Sequence, residues 1–165
     1  MRELCIEPNP VLRKPARPVS AFAAELRRLT HELIETMYAH DGIGLAAPQV
    51  GLDLQLVVAN PSQQRGRELV VANPVIETCQ GRAAVTEGCL SVPNLWERVS
   101  RARRIHLSGQ DLSGRPLRMD AEGLLAIVLQ HEIDHLQGRL LIDRLPWWRR
   151  WRVGLKARNS PHACA

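Results

Sequence analysis

The chain is poor in aromatic residues. It has one Phe and one Tyr in 165 residues, and three of its four Trp are crowded at positions 147, 148 and 151. Its core must therefore be built from Leu, Val, Ile and Ala. No run approaches the roughly 18 consecutive apolar residues of a helical membrane span, so none is expected. The opening MRELCIEPNPVLRKPARPV also lacks the apolar centre of a secretory signal. Cys5, Cys79, Cys89 and Cys164 show no close-pair spacing, which argues against a disulfide scaffold. A reducing cytoplasm is the expected compartment, with the thiols free or available to a metal. Acidic residues are missing from the last 20 positions, where Arg149, Arg150, Arg152, Lys156 and Arg158 account for the whole net charge of +5. Up to Leu145 the charges balance, so nothing in the body calls for DNA, and only the tail is basic.

With 45% hydrophobic and 24% charged residues, the composition is that of a soluble globular protein. Its length suits a single domain. Pro8, Pro10, Pro15 and Pro18 forbid a helix at the start and predict an extended arm. Ser20 is then a plausible N-cap for a helix reaching about His40, with Phe22, Leu26, Leu29, Leu33 and Met37 on one apolar face. Residues 54–60 and 69–77 read as strands, and 103–111 with 115–119 as a hairpin turning at Ser113-Gly114. A second helix, capped by Asp120 and ended by Gly138, is apolar nearly all round and so predicted to be buried. The expected class is α+β, with mixed or antiparallel strands around this C-terminal helix and an N-terminal helix beside them.

That buried helix carries His131-Glu132-Ile133-Asp134-His135, an HExxH match. At about 100° per residue, the two imidazoles are about 40° apart around the axis and one turn apart along it, so both reach one metal ion. Glu132 falls beside them, where it can hold a water. Three polar side chains on a buried face need partners, and a metal supplies them. Catalytic sites of this type use three protein ligands and leave one position open. The metzincin position for a third histidine holds Leu141, and no Glu follows Glu132, so the third ligand should come from upstream.

Upstream lie Glu87-Gly88-Cys89-Leu90-Ser91 and Gly42-Ile43-Gly44-Leu45-Ala46-Ala47-Pro48-Gln49. In this order, and together with HExxH, the chain resembles the peptide deformylases, whose motifs G-x-G-x-A-A-x-Q, E-G-C-x-S and H-E-x-x-H all stand here without substitution. The likeness runs from the Pro-rich arm to about Leu145, which implies a catalytic domain over 1–145 and a separate tail over 146–165. It implies Cys89, His131 and His135 as metal ligands and Glu132 as general base and acid. Gln49 and the Leu90 N–H are implied as donors to the substrate oxyanion. It implies one divalent ion, usually iron(II), with zinc, nickel or cobalt able to substitute. The substrate implied is the formyl-methionyl end of nascent peptides.

Ile127 and Val128 share the helix face of His131 and, with Val85, are candidate walls for a methionine slot. Ile43 and Gly44 are expected to offer backbone hydrogen bonds to an extended peptide, and Arg101 is a candidate anchor further along. Asp134 either accepts a hydrogen bond from a ligand histidine or forms a plain ion pair. In the tail, Pro146, Gly154 and Pro161 leave at most Trp147–Val153 helical. Its Trp and Arg residues could stack on ribosomal RNA, lie on a membrane surface (the less expected case), or fold back onto the domain. His162 and Cys164 are not expected to be ligands. Two rival readings stay open: a metalloprotease with a cysteine ligand, and a nonenzymatic ribosome-associated module with a structural metal. A monomer is the expected state.

Overall fold

The computed structural model describes residues 1–153, the last two by backbone only. The expectations for His162 and Cys164 lie outside the described residues. Five strands form one antiparallel sheet in chain order: β1 (Gly44–Ala46), β2 (Leu56–Ala59), β3 (Leu69–Cys89), β4 (Val92–Gln110) and β5 (Pro116–Glu122). Among the described residues three α-helices accompany it: α1 (Ala24–Ala39), α2 (Gly123–Leu136) and α3 (Trp147–Val153). This is the expected α+β class, with every strand pair antiparallel.

The sheet curls around α2, whose residues from Ala126 to Leu136 are all buried. Val57, Ala59, Val71, Ile105, Leu107 and Ala121 meet Ala126, Leu129, Ile133 and Leu136 in one cluster. Their small and branched side chains let the helix sit close, as an aromatic-poor sequence requires. Leu26, Leu33 and Met37 of α1 pack on Leu45, Val50, Leu56 and Val58.

Both helix starts differ from expectation. Helix α1 begins at Ala24 without a side-chain cap. The residues before it are held elsewhere: the Val19 N–H donates to Asn73 Oδ1 (2.7 Å), and Phe22 packs on the Gly114 turn. Asp120 is no cap either. It lies in β5 and pairs with His106 at 2.8 Å, and α2 starts at Gly123, whose φ of +58° turns the strand into the helix.

The largest difference is the length of β3 and β4, which continue through 78–102 as a hairpin with bulges near Ala72, Ile76 and Gly88. Most of that stretch faces water, so its sequence carries little of the apolar alternation by which strands are read. Cys5 and Cys89 carry free thiols, as expected.

The N-terminal arm is extended as predicted, apart from one 3-10 turn at Pro10–Arg13. Its N–H groups donate to three distant segments: Cys5 to the Gln49 carbonyl (2.7 Å), Glu7 to Ser91 (2.9 Å) and Ala16 to Leu136 (2.8 Å). At Gly138, φ is +70°, and a Cβ there would lie 2.7 Å from the Arg13 backbone, so this glycine both ends α2 and admits the arm. Helix α3 spans the predicted Trp147–Val153. It is tied to β4 by Arg149 and Glu97 (2.9 Å), and Arg150 donates to the carbonyls of Asp143 and Leu145. Its tryptophans do not fold back: Trp147, Trp148 and Trp151 are all exposed. Among the described residues no helix is long and apolar enough to cross a membrane.

Candidate active site

Strand β3 ends at Cys89, and a bulge at Gly88/Cys89 breaks its pairing with β4 there. Helix α2 runs beneath that end and presents His131 and His135 one turn apart, with ring centroids 5.0 Å apart. One ligand atom from each of Cys89, His131 and His135 lies within 4.8 Å of the others, and all three residues are buried. Cys89 Sγ is 3.3 Å from His135 Nε2. Burial alone would raise the Cys89 thiol, but His135 and His131 outweigh it and hold the sulfur well below its ordinary value, as a thiolate. A thiolate and two imidazoles form a donor set suited to a divalent transition metal, so the residues present fit the group that HExxH implies. Among the described residues no fourth His, Cys or carboxylate ligand atom joins the cluster.

Two carboxylates on either side of His131 behave differently. Glu132 is buried, and its Oε2 finds no hydrogen-bond partner among the described residues. Burial pushes its carboxyl up to about 7, against the pull of His131 and His135. Gly44 lies directly against it: a Cβ there would fall 2.5 Å from Glu132 Oε1 and 2.6 Å from Val128 Cγ1. Only glycine lets β1 approach this closely. Glu87, by contrast, is fully engaged. Its Oε2 accepts from His131 Nδ1 at 2.9 Å, and both oxygens accept from Arg101 at 2.8 Å each. Burial opposes its charge, but Arg101 and His131 hold the carboxyl near 2.

Gln49 sits in a short 3-10 turn after β1. Its Oε1 accepts from the Ala46 N–H (2.8 Å), which fixes the amide and aims Nε2 at Ser91 Oγ (3.3 Å) and Cys89 Sγ (3.9 Å). Leu90 occupies the turn between β3 and β4, next to the sulfur.

These groups open onto a cleft of about 630 Å³. Ile43, Gly44, Val85, Ile127 and Val128 line it together with Gln49, Cys89, Leu90, His131 and Glu132. β1 is the edge of the sheet. The Ile43 carbonyl already accepts from the Asn60 N–H (2.8 Å), so strand alternation turns the N–H and C=O of Gly44, rather than those of Ile43, to the open edge.

Arg101 is the site residue that falls elsewhere. It does not line the cleft; its side chain is fully buried and forked between Glu87 and Asp134 (2.5 Å). An arginine so enclosed can remain there only because two carboxylates surround it, and it cannot reach a peptide. Asp134 is an ion-pair residue that also accepts two bonds of 2.6 Å from Arg144. Sequence reasoning missed Leu124, one turn before Val128 on the cleft face of α2, which i,i+4 spacing could have found. It also missed Trp96, which no local pattern marks, and the role of Glu87, whose motif marks the residue but not its partners His131 and Arg101.

The description "Polypeptide deformylase" belongs to a family model matching residues 1–151. A curated peptide deformylase from Alkalilimnicola ehrlichii is 44% identical over 155 residues, covering 93% of this chain and 87% of the relative. Among solved structures, the peptide deformylase of Legionella pneumophila superposes with a TM-score of 0.89 at 39% identity, covering 93% of this chain and 91% of its own. That of Thermus thermophilus gives 0.86 at 46% identity, covering 92% and 90%. With the Cys/His/His cluster beneath an edge strand, and with likeness over almost its whole length, the chain belongs to the peptide deformylase family.

Proposed function

We propose that this chain hydrolyses the N-formyl group of formyl-methionyl peptides, releasing formate and a free amino terminus. The observation that carries the reading is the convergence of Cys89, His131 and His135 beside an unpartnered Glu132 carboxylate, at an edge strand that exposes the Gly44 backbone. Cys89, His131 and His135 hold one divalent metal, with iron(II) the proposed native ion and zinc, nickel or cobalt as substitutes. When bound, the ion supplies Lewis acidity, acidifying a water and polarising a carbonyl.

The chain's own residues do the rest. Gly44 pairs with the extended peptide, and the methionine side chain enters the slot between Ile43, Val85, Ile127 and Val128. Gln49 Nε2 and the Leu90 N–H donate to the formyl oxygen as charge grows there. Glu132 takes a proton as water adds to the formyl carbon and delivers it to the departing amine as the C–N bond breaks. Without metal, burial raises the Glu132 carboxyl towards neutral, which favours a proton on it. Glu87 fixes the tautomer of His131 by accepting from Nδ1, which leaves Nε2 for the ion.

Residues 1–145 form the catalytic unit in this reading, and work takes place in the cytoplasm on nascent chains. Exposed Trp147, Trp148 and Trp151 beside Arg149 and Arg150 favour ribosomal RNA as the partner of 146–165. Deleting 146–165 should reduce ribosome co-sedimentation at low salt more than at high salt; unchanged binding removes that assignment. The main test is formate release from formyl-Met-Ala-Ser by protein purified without oxygen, with metal content measured on the same sample. Cleavage of internal peptide bonds without formate would select a protease instead.

A further inference from the structure

Trp96 stands in β4 directly opposite Gly88, the residue before Cys89. It lines the cleft, yet is 71% exposed. A Cβ built on Gly88 would be 3.1 Å from each of Cε2, Cε3 and Cη2 of Trp96. These are alternate atoms of the six-membered ring, and a point equidistant from them lies over its centre. The indole is therefore laid flat on Gly88, with one face covered by backbone and the other open at the rim. Cross-strand partners of an aromatic usually cover it with a side chain of their own, and here that partner has none. Pro93, Leu95 and Ile6 continue the apolar rim beside it. A broad aromatic face left open at the mouth of a cleft marks a contact surface.

An extended peptide sends successive side chains to opposite sides. With one side chain in the slot, a neighbouring one is carried towards the rim. We propose that the outer face of Trp96 is a platform for one of the two side chains after the methionine, and that it makes the enzyme favour aromatic or large apolar residues there over small or acidic ones. The inference rests on the deformylase reading. Its chemistry is offset stacking on an indole whose face carries partial negative charge, which welcomes a ring or alkyl chain and disfavours a carboxylate.

The test compares kcat/KM for formyl-Met-X-Ser and formyl-Met-Ala-X, with X as Phe, Leu, Ala or Asp. The wild-type enzyme should prefer Phe to Ala by about 3- to 10-fold at one of the two positions, mainly through KM, with Asp below Ala. In Trp96→Ala that ratio should fall to about 1, and Trp96→Phe should keep part of it. Trp96→Lys, a substitution the exposure of the site tolerates, should reverse the order of Asp and Ala. A wild-type enzyme indifferent to X at both positions, or a Phe preference that survives Trp96→Ala and Trp96→Lys, overturns the platform while leaving formate release intact. No formate from any peptide overturns the deformylase reading itself.

Discussion

Glu132 and Asp134 lie two residues apart on one buried helix, and both are almost sealed from water. On the cleft side, Glu132 keeps an oxygen with no partner among the described residues. On the far side, Asp134, Arg101, Glu87 and Arg144 satisfy one another through five contacts of 2.5–2.8 Å. Desolvation pushes both carboxyls up, yet Glu132 rises to about 7 whereas Asp134, beside Arg101 and Arg144, falls to about 2. Neighbours rather than depth decide the charge. The helix thus has one face left under-bonded for chemistry and one saturated to hold it still.

Removing a group from the under-bonded face should cost turnover and little else. Glu132→Ala is expected to lower kcat by about 10²–10⁴-fold with metal content retained. Near-normal turnover would sink its role. On the saturated face the same kind of change should cost the fold: Arg101→Ala removes the cation shared by two buried carboxylates, leaving Asp134 only Arg144 and Glu87 only His131, about 3–5 kcal/mol by denaturant titration. A stable Arg101→Ala protein would mean that water or rearranged neighbours can replace the guanidinium.

Gln49→Ala should reduce kcat by about 10²–10³-fold, and single-turnover kinetics should place the loss in the chemical step. The two faces should also respond oppositely to pH in metal-free protein. Glu87 and Asp134 have folded values near 2, below their ordinary 4.5 and 3.8, so their contribution is complete above those values and disappears as pH falls towards 2. Glu132 is raised, so its contribution is complete below 4.5 and disappears as pH rises through about 7. Thermal melts across that range should show the second slope in the wild type and lose it in Glu132→Gln. The smallest effect belongs to the partly exposed Arg149–Glu97 pair, whose removal should cost about 0.2–1 kcal/mol.

The under-bonded face was the more legible in sequence. Histidines four apart with a glutamate between them follow from helix geometry, and Gly44, Gln49 and Cys89 lie in short motifs. The saturated face was not, because Arg101, Glu87 and Asp134 meet only through strand register and a helix far along the chain. Arg101 reads as a peptide anchor in sequence for that reason, although it is buried between Glu87 and Asp134, and Trp96 could not be placed without the pairing that sets it over Gly88. The arm and the buried helix were readable from prolines and from apolar periodicity. The outer half of the long hairpin was not, since its side chains face solvent.

The arm's attachments have a consequence for biosynthesis. Residues 5–16 leave the translating machinery before their acceptors at Gln49, Ser91 and Leu136, the last of which emerges about 120 residues after Ala16. The Ala16 end of the arm must therefore wait, unpaired, until Leu136 has been made. Incomplete chains ending before Gly138 should remain inactive however well their early segments have folded.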